Sequence, residues 1–240
     1  MKTYDLKTFF SKIGYNWEKD LQELREICRL TKTRVKNPPP KEYLLSGTEQ
    51  TFLIKSIAEW LGAKRFFEIG TGRGTASYAV SLIPRVENVT TLDITPFDKK
   101  MQTAIAHQPA TVSNEDIYNL IPGDCKKKIQ FKLRHEVLPV KTGSIPEEEK
   151  FDFCFIDGNH SDTRVIVEDF VTCTRVLKTG GIIVWDDYGQ PQYRVKQVVD
   201  KILEHEDSWN AILVEFRGHL FGEKGEENQG IVLMSSAQLL

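Results

Sequence analysis

From residue 46 to the end of the chain, short apolar runs alternate with segments whose apolar residues recur every three or four positions. The runs at 65–69, 89–94, 129–133, 151–156 and 182–185 have strand length and read as strands. Between them the spacing predicts helices at about 75–83, 97–107, 162–177 and 191–205. In the third of these, Ile166, Phe170, Cys173 and Leu177 line one face. Strands and helices alternating in this way form a parallel sheet covered on both faces. Two further runs, 212–216 and 231–234, are joined by a polar, glycine-rich stretch with no room for a helix, which predicts an antiparallel hairpin. The expected core is thus an α/β domain over 46–240 with a mostly parallel seven-stranded sheet. Ahead of it, Trp17, Leu21, Leu24 and Cys28 fall on one face of a helix over 17–30. Pro38, Pro39 and Pro40 then stop any helix and give an extended linker, and a helix over 48–61 buries Leu53, Ile57 and Leu61. Residues 1–45 are expected as a helical appendage ending in this proline-rich linker.

The first core strand runs straight into glycines, in the order Glu68-Ile69-Gly70-Thr71-Gly72-Arg73-Gly74. A chain that turns tightly while its backbone approaches a ligand needs glycine there. By itself such a turn also serves to join a strand to a helix. Three details narrow the reading: the spacing is G-x-G-x-G rather than G-x-G-x-x-G, Glu68 stands two positions before the first glycine, and the second strand ends in Asp93, where a carboxylate can accept hydrogen bonds from both hydroxyls of a ribose.

A second set of polar residues ends the fourth and fifth strands. These read Ile156-Asp157-Gly158-Asn159-His160 and Trp185-Asp186-Asp187-Tyr188. Ligands of open parallel sheets bind at the carboxyl ends of the strands, so Asp157, Asp186 and Asp187 are expected beside the glycine turn. Three carboxylates so close repel one another unless a cation neutralises them, and oxygen-only donors favour Mg²⁺, Ca²⁺ or Mn²⁺ over zinc or copper. The plainer alternative is a set of loop and helix-capping acids; Ser161 and Asp162 are suited to cap the helix that follows. His160 is a candidate general base near neutral pH, or else a hydrogen-bonded structural histidine.

The glycine turn with Glu68 and Asp93 resembles the S-adenosylmethionine fingerprint of class I methyltransferases, which have a Rossmann-like fold. The resemblance implies that Gly70, Thr71, Gly72 and Gly74 wall the cofactor, that Asp93 holds its ribose, and that Glu68 lies near its methionine end. On the adenine side the Gly123-Asp124 pair looks like the one that often follows the third strand. By register, however, His135 occupies the equivalent place and is the preferred cofactor-binding residue. Over about 46–235, including a Glu49-Gln50 helix start, the chain resembles the metal-dependent small-molecule O-methyltransferases of the catechol, caffeoyl-CoA and macrolide-sugar types. It departs from the catechol pattern in having Asp187 where Asn is usual and His160 where Lys is usual, which brings it closer to the sugar-modifying branch. What this implies is transfer of a methyl group to a hydroxyl of a sugar, phenol or polyketide-like small molecule. Asp157, Asp186 and Asp187 would be metal ligands, with Mg²⁺ the expected ion, and Asp157 and His160 would be catalytic.

Composition adds exclusions. With 32 Lys and Arg against 34 Asp and Glu, the net charge is −2, so neither a nucleic-acid backbone nor an anionic membrane is an expected partner. The four cysteines are scattered without a C-x-x-C pair, as reduced thiols of a cytoplasmic protein are, and there is no apolar stretch for a secretory signal or a membrane span. A small molecule is the expected partner, and a homo-oligomer is left open. Two rivals share part of the pattern: an NAD-dependent Rossmann oxidoreductase, which the G-x-G-x-G spacing and terminal hairpin disfavour, and a methyltransferase-like module that binds without catalysis.

Overall fold

The computed structural model describes residues 1–31, 44–106, 108–134, 147–222 and 230–240. The proline-rich linker lies outside them. The seven expected strands are present as β2 (Arg65–Ile69), β3 (Asn88–Asp93), β6 (Ile129–Leu133), β7 (Phe151–Ile156), β8 (Leu177–Tyr188), β9 (Asn210–Glu215) and β10 (Gly230–Ser235). An eighth, β1 (Lys2–Asp5), joins the edge of the same sheet in parallel with β9. The order is β1-β9-β10-β8-β7-β2-β3-β6. All neighbours run parallel except β10, which is antiparallel to both β8 and β9 and so forms the expected hairpin.

Both faces are covered because adjacent residues of each central strand are apolar and point to opposite sides. Phe66, Phe153, Phe155, Ile182 and Val184 pack in one cluster; Phe67, Ile69, Cys154, Ile156 and Trp185 pack in the other. The first cluster also takes in Leu6, Phe9 and Phe10 of α1 (Leu6–Ile13), Leu24, Ile27 and Cys28 of α2 (Leu21–Thr31), and α3 (Glu49–Trp60) with α4 (Thr75–Ser81). The second is covered by α6 (Thr163–Val176) and α7 (Val195–His205). Asp162 caps α6 by accepting a hydrogen bond from the Arg164 amide at 2.9 Å.

The segment 97–107 departs from the helix expected of it. Instead β4 (Met101–Ile105) and β5 (Gln108–Val112) form a separate antiparallel pair, and α5 (Asn114–Leu120) follows. The β-branched Thr103, Ile105, Thr111 and Val112 suit a pleated strand, and Pro109 is tolerated because the pair has only edge strands. Helix formation begins only at Ser113, whose side chain and that of Asp116 close a reciprocal capping box.

Two buried charged side chains of α3 hold neighbouring segments against that helix. Lys55 is paired with Asp20 at 2.7 Å and with Glu59, and Asp20 also accepts the Tyr15 hydroxyl at 2.5 Å. Glu49, fully buried at the start of α3, accepts the backbone N–H groups of His219, Leu220 and Phe221 at 2.7–2.8 Å. That grip holds the chain after β9 against α3 and seats Phe221 on Trp17 and Phe52. Hydrogen bonds to a charged group contribute about 1.5–3 kcal/mol each and do not add fully. Glu49→Ala is therefore expected to lower stability by about 3 kcal/mol or more, read as a shifted urea midpoint, and to make the 218–222 stretch the first site cut in limited proteolysis. Glu49→Gln, which keeps an acceptor oxygen, is expected to lose less on both measures.

Candidate active site

The site begins where β2 meets β7. The Asp157 amide donates to the Ile69 carbonyl at 2.8 Å, and Gly70 lies against the next carbonyl. A Cβ on Gly70 would stand 2.0 Å from the Asp157 oxygen, and its φ of +98° is left-handed, so no other residue fits. The N–H groups of Gly70 and Thr71 then donate to the Leu92 carbonyl at 2.8 and 3.1 Å, which seats the turn on β3. Gly72 bends past Asp93 and donates to its Oδ2 at 3.0 Å, while the Thr95 amide takes Oδ1 at 2.8 Å. Each Asp93 oxygen accepts one such bond and keeps a lone pair for another. A Cβ on Gly72 would meet nothing within 4 Å.

Behind the turn sits Glu68, fully buried, accepting the hydroxyls of Ser77 at 2.5 Å and Thr91 at 2.6 Å on one oxygen. Burial pushes its carboxyl up to about 7 against the pull of those two donors. Thr71 turns its hydroxyl inward, 2.7 Å from that of Thr91. Two cavities open beside the turn. One, of about 200 Å³, is lined by Gln50, Glu68, Gly72, Arg73, Thr75 and Asp157. The other, of about 630 Å³, runs along Gly70, Asp93, Arg134, Asp157 and Asn159. Together they form a groove across the carboxyl ends of β2, β3 and β7.

At its far side stand the acids. Burial, followed by the negative charge of Asp186, pushes the Asp157 carboxyl well above the usual range. Asp186 is buried and also raised, by burial and then by the charge of Asp187, and its Oδ1 has no hydrogen-bond partner among the described residues. Two adjoining carboxyls in this state require a shared proton or a cation. Asp187 adopts a left-handed φ of +54°, uncommon outside glycine, and its Oδ2 lies 2.8 Å from Nδ1 of His160. That side chain is thus engaged with His160, and among the described residues no group of three His, Cys, Asp or Glu stands ready to hold a metal.

His160 is fixed by the loop that carries it. Asn159 accepts the Ser161 and Asp162 amides at 2.8 and 2.9 Å, and the His160 carbonyl accepts the Arg194 amide at 2.7 Å. The ring meets Tyr193 edge-on, and its Nε2 is buried 3.7 Å from Asp157 Oδ1, with no hydrogen bond among the described residues. Burial alone would lower its pKa; the bond to Asp187 and the charges of Asp186, Asp187 and Asp169 raise it above the ordinary histidine value.

Of the expected residues, Glu68, Gly70, Thr71, Gly72, Asp93 and Asp157 line the cavities, Asp186, Asp187 and His160 adjoin Asp157, and a Cβ on Gly74 would meet the Tyr78 ring. His135 lies outside the described residues, and Asp124 is exposed and paired with Lys127 at 2.9 Å. Trp185 and Tyr188 pack into the core. Two features were missed. Arg134, on the cavity wall, is locked to buried Asp169 at 2.5 Å. Arg73, inside the glycine turn, has buried and unpartnered guanidinium nitrogens; as the turn's one charged residue it was visible, though its burial was not.

The profile of the methyltransferase domain family matches residues 67–188, about half of the chain and the part that carries every one of these groups. No curated protein matches the sequence. Solved structures share the fold at low identity. An O-methyltransferase from Bacillus cereus, solved with S-adenosylhomocysteine, is 13% identical with a TM-score of 0.55, and the alignment covers 95% of this chain and 94% of that one. TomG from Streptomyces achromogenes, an O-methyltransferase involved in tomaymycin synthesis and solved with S-adenosylmethionine, is 17% identical with a TM-score of 0.56 and the same coverage. Cofactor-bound Rv0187 from MTB is 16% identical with a TM-score of 0.56, covering 97% of this chain and 96% of that one. The strand order, the glycine turn and the family match lead to one conclusion: the chain belongs to the methyltransferase domain family and is an S-adenosylmethionine-dependent methyltransferase of the Rossmann-like class I fold.

Proposed function

We propose that the protein methylates a hydroxyl group of a small molecule, with a divalent cation at the acids and His160 as the base. The observation that carries this reading is the pairing of a buried carboxyl couple, Asp157 and Asp186, with a His160–Asp187 dyad beside the groove. The residues fit the cofactor: Gly72 leaves bare space, Asp93 keeps free lone pairs, and Glu68 sits at the end of the smaller cavity. When bound, the sulfonium cofactor supplies a methyl group open to direct displacement. The acid couple fits a hard cation, since Mg²⁺ is commonly held by one or two carboxylates with water and substrate completing its shell. Asp157 and Asp186 would hold it and Asp187 would stand at its edge; when bound, such an ion polarises and orients a hydroxyl.

The chain's own part in the chemistry is the proton. In neutral His160, Nδ1–H donates to Asp187, which leaves Nε2 with a lone pair beside Asp157. Asp187 thereby fixes both the tautomer and the ring plane, and Nε2 takes the proton of the acceptor hydroxyl. The near-neutral charge balance of the chain favours a small acceptor such as a sugar, phenol or polyketide over a nucleic acid.

Three measurements test the proposal. Calorimetry is expected to show S-adenosylhomocysteine binding that Asp93→Ala weakens by about tenfold or more, the loss of one charge-assisted hydrogen bond or two. Turnover of a hydroxylated acceptor is expected to stop in EDTA and return with Mg²⁺, and Asp186→Asn to lose turnover while still binding S-adenosylhomocysteine; full turnover in chelator would remove the cation from the scheme. The bond to Asp187 favours the protonated ring of His160 and so helps set where the acidic limb of the pH–rate profile falls. Asp187→Asn should move that limb down, and His160→Ala should lower kcat by about 10²–10⁴-fold.

A further inference from the structure

The glycine turn has few backbone donors left to offer a ligand. Gly70 and Thr71 spend their N–H groups on Leu92, Gly72 donates to Asp93, and Gly74 donates to the Thr71 carbonyl at 2.7 Å. What the turn does offer is Arg73. All three of its guanidinium nitrogens are buried, and none has a hydrogen-bond partner among the described residues. A guanidinium is always charged, and burying it unpaired is costly. The side chain lines the cavity of about 200 Å³, whose wall also includes Gln50 from α3, and the Gln50 amide nitrogen is likewise buried and unpartnered. Glu68 and Asp157 line the same space with carboxyls. The cavity therefore carries unused donors of positive and neutral type together with acceptors of negative type, an arrangement suited to a zwitterion.

We infer that Arg73, with Gln50, receives the α-carboxylate of the cofactor's methionine end, while Glu68 and Asp157 face its α-ammonium. This rests on the S-adenosylmethionine reading of the groove and adds to it a selectivity filter. The planar fork of the guanidinium matches a carboxylate in two parallel bonds, which a lysine at the same place would not reproduce. Without the ligand the guanidinium has no hydrogen-bond acceptor among the described residues. Arg73 is thus a binding residue that costs the empty protein stability, rather than one that supports the fold.

The test is calorimetry on the full chain with three probes: S-adenosylhomocysteine, its decarboxylated analogue, and 5′-methylthioadenosine, which lacks the amino-acid end. The wild type is expected to bind S-adenosylhomocysteine about 10- to 100-fold more tightly than the decarboxylated analogue, as loss of a charge-assisted contact implies. Arg73→Met, which keeps the stem and removes the charge, is expected to close that gap. It should leave the affinity for the other two probes within about twofold of the wild type, and its ligand-free Tm should equal or exceed the wild-type value. Arg73→Lys should recover only part of the preference. The inference is overturned if Arg73→Met weakens all three probes alike, if it leaves the preference for the carboxylate intact, or if it lowers the ligand-free Tm. Failure of the wild type to bind any of the three would overturn the cofactor reading itself, and this inference with it.

Discussion

Everything in the groove depends on how closely β2 and β7 come together at Gly70. The Asp157 carbonyl occupies the place a side chain would need, and the turn that follows is pressed onto β3 through the Leu92 carbonyl. Because Gly70 lacks a Cβ, Asp157 and Asp93 flank the same turn, and a single ligand can touch the ends of three strands. Any larger residue there would push β7 away and carry Asp157, and with it the loop to His160, out of reach. The close contact is thus a condition for the chemistry as much as for the packing.

The acids illustrate how one kind of side chain takes different roles according to its surroundings. Glu68, Asp157 and Asp186 are held where water solvates them poorly, so each resists ionisation. Asp93 instead receives two backbone N–H groups and serves as a ready acceptor. Asp187 is directed onto a histidine by a left-handed backbone, a conformation that costs of order 1–3 kcal/mol and that tends to persist where function requires it.

Much of this was legible in the chain. The strands were, because buried parallel strands leave apolar runs, and so were Glu68 and Asp93, because their offsets from the glycines mark strand ends. The hairpin at 101–112 was not: Met101 to Ala106 carries enough apolar residues to satisfy a helical repeat, and only its β-branched residues and Pro109 argue otherwise. Strand β1, just four residues long with Tyr4 as its sole apolar member, leaves almost no pattern. The partnership of His160 with Asp187 was hidden as well. The two lie 27 positions apart, and it depends on a backbone reversal at an aspartate that sequence spacing does not signal. Nor does spacing reveal that the guanidinium of Arg73 is enclosed.

The grip of Glu49 on the chain after β9 has an evolutionary side. Its carboxylate holds the main-chain amides of His219, Leu220 and Phe221. These bonds run to the main chain, so they survive a change of side chain at 219–221 except to proline, which has no N–H to give. The neighbouring Gln50 lines the smaller cavity, so the same helix start joins a tolerant segment to a demanding one.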